Sequence, residues 1–182
     1  EGKDKVLDMM INFAHMEADC FITDFLQRPF DLVKLKKAFT KWQTKMYGKG
    51  WNALYMENHD HPRIISRYGS EKYRVESGKS IAASYLFQRG TPFVYQGQEI
   101  GMINTPLASL DDYKDIMVKN NARIARSLGL SKETVLRLAQ KASRDNARTC
   151  MQWSSAPNAG FTNGKPWFVV NSNYKDINVE SQ

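Results

Sequence analysis

The sequence predicts an α/β fold built from parallel β/α units. Three short apolar runs begin at Met9, Trp51 and Thr91, about 40 residues apart. A segment with helical spacing of apolar side chains follows each of the first two runs. Strands that are apolar throughout and alternate with helices are typical of parallel sheets that helices cover on both faces. The predicted order is therefore strand, helix, strand, helix, strand.

The first unit is predicted to contain a buried strand over residues 9–16 and a helix that starts after Asp31. Asp31 suits an N-cap because its carboxylate can accept a free backbone N–H. Gly48 and Gly50 mark the end of this helix. Its apolar residues recur on one face: Leu32, Leu35, Phe39, Trp42 and Met46.

The second strand is predicted over residues 51–56 and ends at the polar group 57–60. A helix follows over residues 75–88 and ends at Gly90. Its inner side is predicted to carry Ile81, Ala82, Tyr85 and Leu86. The third strand is predicted over residues 91–95.

Two further helices are predicted after Gly101. The first covers residues 113–128, and the second follows a possible cap at Ser131. The inward side chains of the second helix are Val135, Leu138 and Ala142. From Ser143 onward, Asn, Gly and Pro are frequent, as in long loops.

Composition places the chain among globular proteins of one domain. It has 182 residues, of which 42% are hydrophobic and 25% are charged. No run approaches the ~20 apolar residues of a membrane span. Two cysteines are too few for a disulfide framework, so a reducing, cytoplasmic setting is expected.

The chain carries 26 Lys and Arg against 19 Asp and Glu, a formal net charge of +7. A basic balance can indicate nucleic acid or an anionic membrane as a partner. The lysines at positions 34, 36, 37, 41 and 45 fall off the apolar face of the first helix, which is typical of a solvated surface. Neither nucleic acid nor a membrane is therefore expected as a partner.

Polar side chains gather where the predicted strands end. His15 ends the first run, residues 57–63 follow the second, and Gln98 and Glu99 follow the third. Reactive groups of parallel α/β folds collect at the carboxyl ends of strands. By chemistry alone, Asp60 can stabilise a developing cation or hold a sugar hydroxyl.

The same residues also permit a purely structural interpretation. His59 can donate to a hydroxyl and Arg63 can fix another polar group, but Arg63 can equally satisfy Asp60 or Glu57 within a loop. His15 alone is more typical of a structural histidine than of a catalyst.

A second polar group lies over residues 143–153. Arg144, Asp145 and Arg148 near Trp153 suit a polyol, because hydroxyls take hydrogen bonds and sugar C–H faces stack on aromatic rings. A surface loop braced by Arg–Asp pairs is the alternative. The chain has no His-x-x-His or Cys-x-x-Cys spacing and no phosphate loop, so neither a metal nor a nucleotide cofactor is expected.

Three segments of the chain, taken together, carry motifs that are specific enough to indicate a protein family. Residues 51–69 resemble the Asn-His-Asp region of glycoside hydrolase family 13, the α-amylase family. Residues 90–102 resemble its eighth barrel strand, and residues 143–153 with 158–161 resemble its oligo-1,6-glucosidase and dextran glucosidase branch. The resemblance implies a partial (β/α)8 TIM barrel with strands six to eight, their helices and the following loop excursion. Residues 1–182 would then be the C-terminal portion of the catalytic barrel, without a complete second domain.

The resemblance also implies retaining cleavage of terminal α-1,6-linked glucose from isomalto-oligosaccharides. Asp60 matches the carboxylate that stabilises the transition state, and His59 matches the histidine that binds the glucose. Arg63 matches an arginine at the entrance. Arg148 matches the arginine that grips the terminal glucose, with Arg144 as the alternative register.

Further positions complete the match or depart from it. His15 matches a position on strand six, although Ala14 replaces the usual Glu. Gln98 and Glu99 match the loop after strand eight, where Gln98 replaces a common Glu. His61 and Cys150 stand where Gln and Pro are common.

The family's nucleophile and acid/base follow strands four and five, upstream of this chain. The chain alone is therefore expected to be inactive. Three parallel strands of a barrel leave open edges, so the missing barrel half or another chain is expected to be needed for stability.

Other functions of the same scaffold remain open. An α-1,4-glucosidase or a sucrose isomerase would share these residues. A non-catalytic, glucosidase-like partner subunit is a third possibility, which the presence of Asp60, His59 and Arg148 disfavours. The residue that usually separates α-1,6 from α-1,4 preference lies upstream of this chain.

Overall fold

The sheet of this chain has three parallel strands. The computed structural model describes residues 6–21, 23 and 25–182. Within them, β1 (Met9–Ile11), β2 (Trp51–Leu54) and β3 (Thr91–Pro92) form a sheet in the order β1-β2-β3. Both pairings are parallel, with Met9 opposite Trp51 and Ala53 opposite Thr91. The predicted parallel β/α order is confirmed.

Five α-helices lie in the described part of the chain: α1 (Leu32–Met46), α2 (Ile64–Tyr68), α3 (Arg74–Leu86), α4 (Ile116–Ser127) and α5 (Lys132–Ala142). Short 3-10 turns occupy Ala14–Glu17, Glu71–Tyr73, Leu110–Asp112, Arg144–Ala147, Pro157–Gly160 and Ser172–Lys175. None of the helices in these ranges is long and apolar enough to cross a membrane.

The strands are shorter than predicted. β1 stops at Ile11, and the chain then forms the 3-10 turn Ala14–Glu17. Ile11 is 55% exposed, so the expectation of a buried first strand is wrong. β3 ends at Pro92, although the N–H of Phe93 still donates to the Leu54 carbonyl at 2.7 Å. The residues of β3 pair with Ala53 and Leu54, the last two residues of β2.

Local capping follows the sequence closely. The Asp31 side chain accepts the N–H of Lys34 at 2.9 Å, and Ser131 accepts that of Thr134 at 3.2 Å. Both predicted caps are confirmed. The apolar face of α1 begins only at Leu35, because Leu32 is 55% exposed. Leu86 of α3 is likewise exposed rather than inward.

Two larger apolar clusters hold these elements together. One joins the sheet to α2 and α3 and contains Met16, Leu54, Tyr55, Met56, Ile64, Ile65 and Tyr85. The other lies around α4 and α5 and contains Phe25, Leu107, Tyr113, Val118, Ala122, Ala125, Val135, Ala139, Ala142 and Phe168. A smaller cluster contains Ile100, Met102, Met151 and Ile177.

A buried ion pair ties the end of β2 to its neighbours. Arg63 is 1% exposed, and its Nη1 lies 2.9 Å from Glu57 Oε2 and 2.8 Å from the Gln96 carbonyl oxygen. Glu57 Oε1 also accepts the N–H of Ile64 at 2.9 Å. Burial raises the pKa of Glu57, while the Arg63 charge and these hydrogen bonds oppose that shift. The pair thus connects β2, the start of α2 and the loop after β3.

Gly97 allows the loop after β3 to pack on Arg63. Its φ is +90°, a backbone conformation that favours glycine. A Cβ at this position would overlap Met102 Sδ and lie 3.0 Å from Arg63 Nη2. The ion pair therefore depends on a close backbone approach as well as on charge.

His15 is enclosed by aromatic rings. It stacks on Phe39 of α1 at 5.7 Å between ring centroids and meets Tyr55 edge-on at 4.6 Å. Burial lowers the pKa of His15 to about 4. A hydrogen bond with the Tyr55 backbone has the opposite effect on the pKa, but it is smaller. The nearby His61 and Arg67 charges lower the pKa further. At neutral pH, His15 is an uncharged part of the packing between β2 and α1.

Replacing Arg63 by Met should destabilise the chain by about 3–5 kcal/mol, because Glu57 would remain buried without its cation. The matched control is Arg123→Met on the exposed side of α4, which should change stability by at most about 0.5 kcal/mol. Urea unfolding followed by circular dichroism measures both, with the chain joined to the barrel half that it is expected to need for stability. A loss below about 1 kcal/mol in Arg63→Met would contradict the role given to this pair.

His15 should stay neutral until well below pH 6. The folded pKa of about 4 lies below the unfolded value of 6.5. Its stabilising contribution is therefore complete above pH 6.5 and is lost as the pH falls towards 4, at a cost of about 3 kcal/mol. NMR titration of the histidine-labelled chain, joined to the barrel half that it is expected to need for stability, measures this pKa, with the resonance assigned through His15→Gln. A midpoint near 6.5 would refute the buried, neutral state.

Candidate active site

A turn after β2 carries a half-exposed carboxylate. The N–H of Asp60 donates to Asn58 Oδ1 at 2.8 Å, which closes an Asx-type turn. The side chain of Asp60 is 44% exposed. Because Glu57 just before the turn is fixed by Arg63, the turn presents Asp60 at the carboxyl end of the parallel sheet.

Two arginines converge on Asp60 from the turn Arg144–Ala147 and the residue after it. Arg148 Nη2 lies 2.9 Å from Asp60 Oδ1, and Arg144 Nη1 lies 3.3 Å from the same oxygen. Arg148 Nε also donates to the His59 carbonyl at 2.8 Å. The structure thus brings together the two polar segments that the sequence indicated. Both candidates for the sugar-binding arginine contact the same carboxylate.

The second carboxylate oxygen of Asp60 faces His59. His59 Nε2 lies 3.4 Å from Asp60 Oδ2, and the imidazole is largely exposed. Both arginines approach Oδ1, so Oδ2 is the oxygen that is more available to a bound molecule. One carboxylate beside two guanidinium groups and an imidazole can hold several hydroxyls of a polyol at once.

Asp115 anchors Arg144 and was not predicted as a site residue. Asp115 Oδ2 accepts Arg144 Nε at 2.9 Å, and Oδ1 accepts Nη2 at 2.6 Å. Burial by itself would raise the pKa of Asp115, but the Arg144 hydrogen bond and the Met117 N–H outweigh it, so the pKa falls below its usual value. The only sequence signal was an acidic residue directly before α4, which is common at helix starts.

Asp145 holds the backbone next to this anchor. Asp145 Oδ2 accepts the N–H of Lys114 at 2.8 Å and that of Asp115 at 2.9 Å. Two neighbouring residues before α4, Lys114 and Asp115, therefore contact two neighbouring residues after α5, Arg144 and Asp145. This joint fixes the position from which Arg144 reaches Asp60.

Two cavities with aromatic walls border Asp60. The first has a volume of about 310 Å³ and is lined by Phe13, Tyr55, Phe93 and Tyr95 besides residues 57–60. The second, of about 440 Å³, extends towards α4 and is lined in part by Phe13, Phe25, His61 and Met117. Apolar walls with a few convergent polar groups are typical of small-molecule sites.

The other predicted site residues lie elsewhere. Gln98 bonds the Tyr85 hydroxyl at 3.2 Å and accepts the N–H of Tyr95 at 3.3 Å. Gln98 and Glu99 line a separate cavity beside α3, which has a volume of about 320 Å³. The structure does not bring either residue to Asp60.

Arg63 and His15 are buried rather than exposed at an entrance. Arg63 serves Glu57, as the structural alternative stated, so the expectation that it lines the entrance is corrected. Its burial depends on Gln96, 33 residues away, which no local pattern reveals. His15 packs between aromatic rings and also fits its structural alternative. In the described ranges, no three His, Cys, Asp or Glu side chains converge in a way that could hold a metal ion.

A comparison with protein families matches the α-amylase catalytic domain over residues 1–182. Among curated proteins, the oligo-1,6-glucosidase of Parageobacillus thermoglucosidasius is 47% identical over 178 residues. The match covers 96% of this chain and 32% of that enzyme.

Solved structures of related enzymes have the same fold in this region. The Bacillus licheniformis trehalose-6-phosphate hydrolase matches with a TM-score of 0.90 and 45% identity. The isomaltulose synthase of Klebsiella sp. LX3 matches with a TM-score of 0.90 and 36% identity. Each match covers 96% of this chain and 32% of the other.

The chain thus spans about a third of the length of the relatives it matches. The family match extends over every residue, and the relatives it resembles in sequence and structure are glycoside-processing enzymes. This chain belongs to the α-amylase catalytic domain family, glycoside hydrolase family 13.

Proposed function

We propose that this chain supplies part of the active site of an α-glucosidase that removes terminal α-1,6-linked glucose from isomalto-oligosaccharides and dextran fragments, with retention. The observation that carries the proposal is the half-exposed Asp60 carboxylate between Arg144, Arg148 and His59. The adjoining aromatic cavities suit sugar rings.

The chemistry gives Asp60, Arg148 and His59 a task each. Cleavage of a glycosidic bond passes through an oxocarbenium-like transition state, in which positive charge develops on the sugar. Asp60 stabilises that charge and orients hydroxyls through Oδ2. Arg148 and His59 donate hydrogen bonds to the terminal glucose. Groups that are fixed before the reaction lower the barrier most effectively, because they need no reorganisation.

A retaining glycosidase also needs a nucleophile and an acid/base. Glu57 and Asp115 border the cavities, but hydrogen bonds already engage both oxygens of each carboxylate: Glu57 binds Arg63 and the Ile64 N–H, and Asp115 binds Arg144. We therefore assign both tasks to residues outside this chain, as the family resemblance implies. The isolated chain is then inactive and needs the complementary part of the barrel, or another chain, for its stability.

The relatives support α-1,6 hydrolysis most directly. The match to an oligo-1,6-glucosidase at 47% identity favours a glucosyl–glucose bond as the substrate. A sucrose isomerase is the second candidate, supported by the likeness to isomaltulose synthase at 36% identity. An α-1,4-glucosidase or a non-catalytic partner subunit has no such match among these relatives. We place the reaction in the cytoplasm, in line with the two cysteines of the chain.

A chimera tests whether this chain completes an active barrel. The 182-residue chain replaces the matching segment of the Parageobacillus thermoglucosidasius oligo-1,6-glucosidase. We expect the chimera to hydrolyse isomaltose and to release the α-anomer of glucose first, as proton NMR can show. The chain alone should release no glucose. A folded chimera without hydrolysis, or hydrolysis by the chain alone, would refute the proposal.

Asp60→Asn in the chimera should lower kcat by about 1,000-fold, because the amide cannot stabilise the developing positive charge. The matched control is Asp31→Asn, the same substitution at the exposed cap of α1, where asparagine serves as well as aspartate. The control should keep full activity. Equal kcat values for the Asp60→Asn variant and the unsubstituted chimera would remove Asp60 from the mechanism.

A further inference from the structure

We infer that Asp115 is a positioning residue for the reaction: it restrains Arg144 and so keeps the Asp60 carboxylate open to substrate. The inference rests on the proposed function of Asp60. Asp115 lies in the segment before α4, remote from Asp60 in sequence, and is connected to it through Arg144.

The guanidinium of Arg144 is divided unequally between two carboxylates. Its Nε and Nη2 form a two-pronged contact with Asp115, at 2.9 and 2.6 Å. Only Nη1 is directed at Asp60, and that contact is longer, at 3.3 Å. A guanidinium is planar and rigid, so the bidentate contact with Asp115 fixes the plane in which Nη1 lies.

Asp115 holds Arg144 more firmly because it is the better-fixed acceptor. Its side chain is 1% exposed, whereas that of Asp60 is 44% exposed, and charge interactions are stronger away from water. Asp115 Oδ1 also accepts the N–H of Met117 at 2.9 Å. The Asp115 backbone is held by Asp145. These contacts leave the Asp115 carboxylate little freedom to follow Arg144.

The consequence concerns the free oxygen of Asp60. With Arg144 restrained, Asp60 Oδ2 faces His59 and the adjoining cavities. Without the Asp115 charge, Arg144 is free to turn and take both oxygens of Asp60 in a bidentate pair, the geometry that arginine and carboxylates prefer. Asp60 would then stabilise the guanidinium instead of the transition state.

Asp115→Asn in the chimera isolates this effect, because asparagine keeps the helix cap but removes the charge. We expect kcat to fall about tenfold with KM changed less than twofold, since Asp60 acts on the transition state. The control is again Asp31→Asn at the cap of α1, which has no arginine partner among its described side-chain contacts. Unchanged kcat in Asp115→Asn would overturn the inference.

A second variant separates positioning from a structural role. Adding Arg144→Met to Asp115→Asn removes the competing guanidinium and leaves no buried charge behind, so kcat should rise above that of the single variant. A merely structural defect at Asp115 would persist or worsen in the double variant, and that result would overturn the inference.

Crystallography of Asp115→Asn tests the same point without an activity assay. Both guanidinium Nη atoms of Arg144, or Nε and one Nη, should lie within hydrogen-bond distance of the two Asp60 oxygens. An Arg144 that keeps its present position would contradict the inference. If the unsubstituted chimera is inactive, the proposed function fails. The crystal structure of the Asp115→Asn variant then still decides whether Asp115 restrains Arg144.

Discussion

The buried pair between Glu57 and Arg63 is the constraint on which the candidate site depends. It joins the end of β2, the start of α2 and the loop after β3, and both side chains are almost fully buried. A buried carboxylate and guanidinium stay together because separating them would leave an uncompensated charge. The turn that carries Asp60 begins one residue after Glu57, so its direction is set by this pair.

A second set of charged side chains, less buried than the Glu57–Arg63 pair, completes the site. Asp115 holds Arg144, and Arg144 and Arg148 hold Asp60. Burial decreases along this series, from Asp115 to Arg144 to Asp60. The inner members are fixed by strong, shielded contacts, and the outermost carboxylate keeps an oxygen for a ligand. Such a gradient combines a rigid base with a reactive surface.

The sequence predicted what depends on neighbouring residues and missed what depends on distant ones. The caps at Asp31 and Ser131 were correct because each needs only an N–H three residues away. The convergence of residues 57–60 with Arg148 was implied by the family resemblance, whereas strand order alone grouped residues 57–63 with His15, Gln98 and Glu99. The pairing of Arg63 with Glu57 was only one of two alternatives, and its further contact with Gln96, 33 residues away, was missed. The anchoring of Arg144 by Asp115 was missed because the two residues lie 29 positions apart. Strand lengths were overestimated: β2 and β3 pair only through Ala53 and Leu54 with Thr91 and Pro92.

The central claim is that Asp60 Oδ2 is the oxygen that receives substrate. The most direct test is a crystal structure of the chimera with a glucose-shaped iminosugar cation, which imitates the charge of the transition state. The account predicts that Asp60 Oδ2 lies within about 3.2 Å of the bound sugar, with Arg148 and His59 on neighbouring hydroxyls. A sugar bound in the barrel without any contact to Asp60 would contradict it.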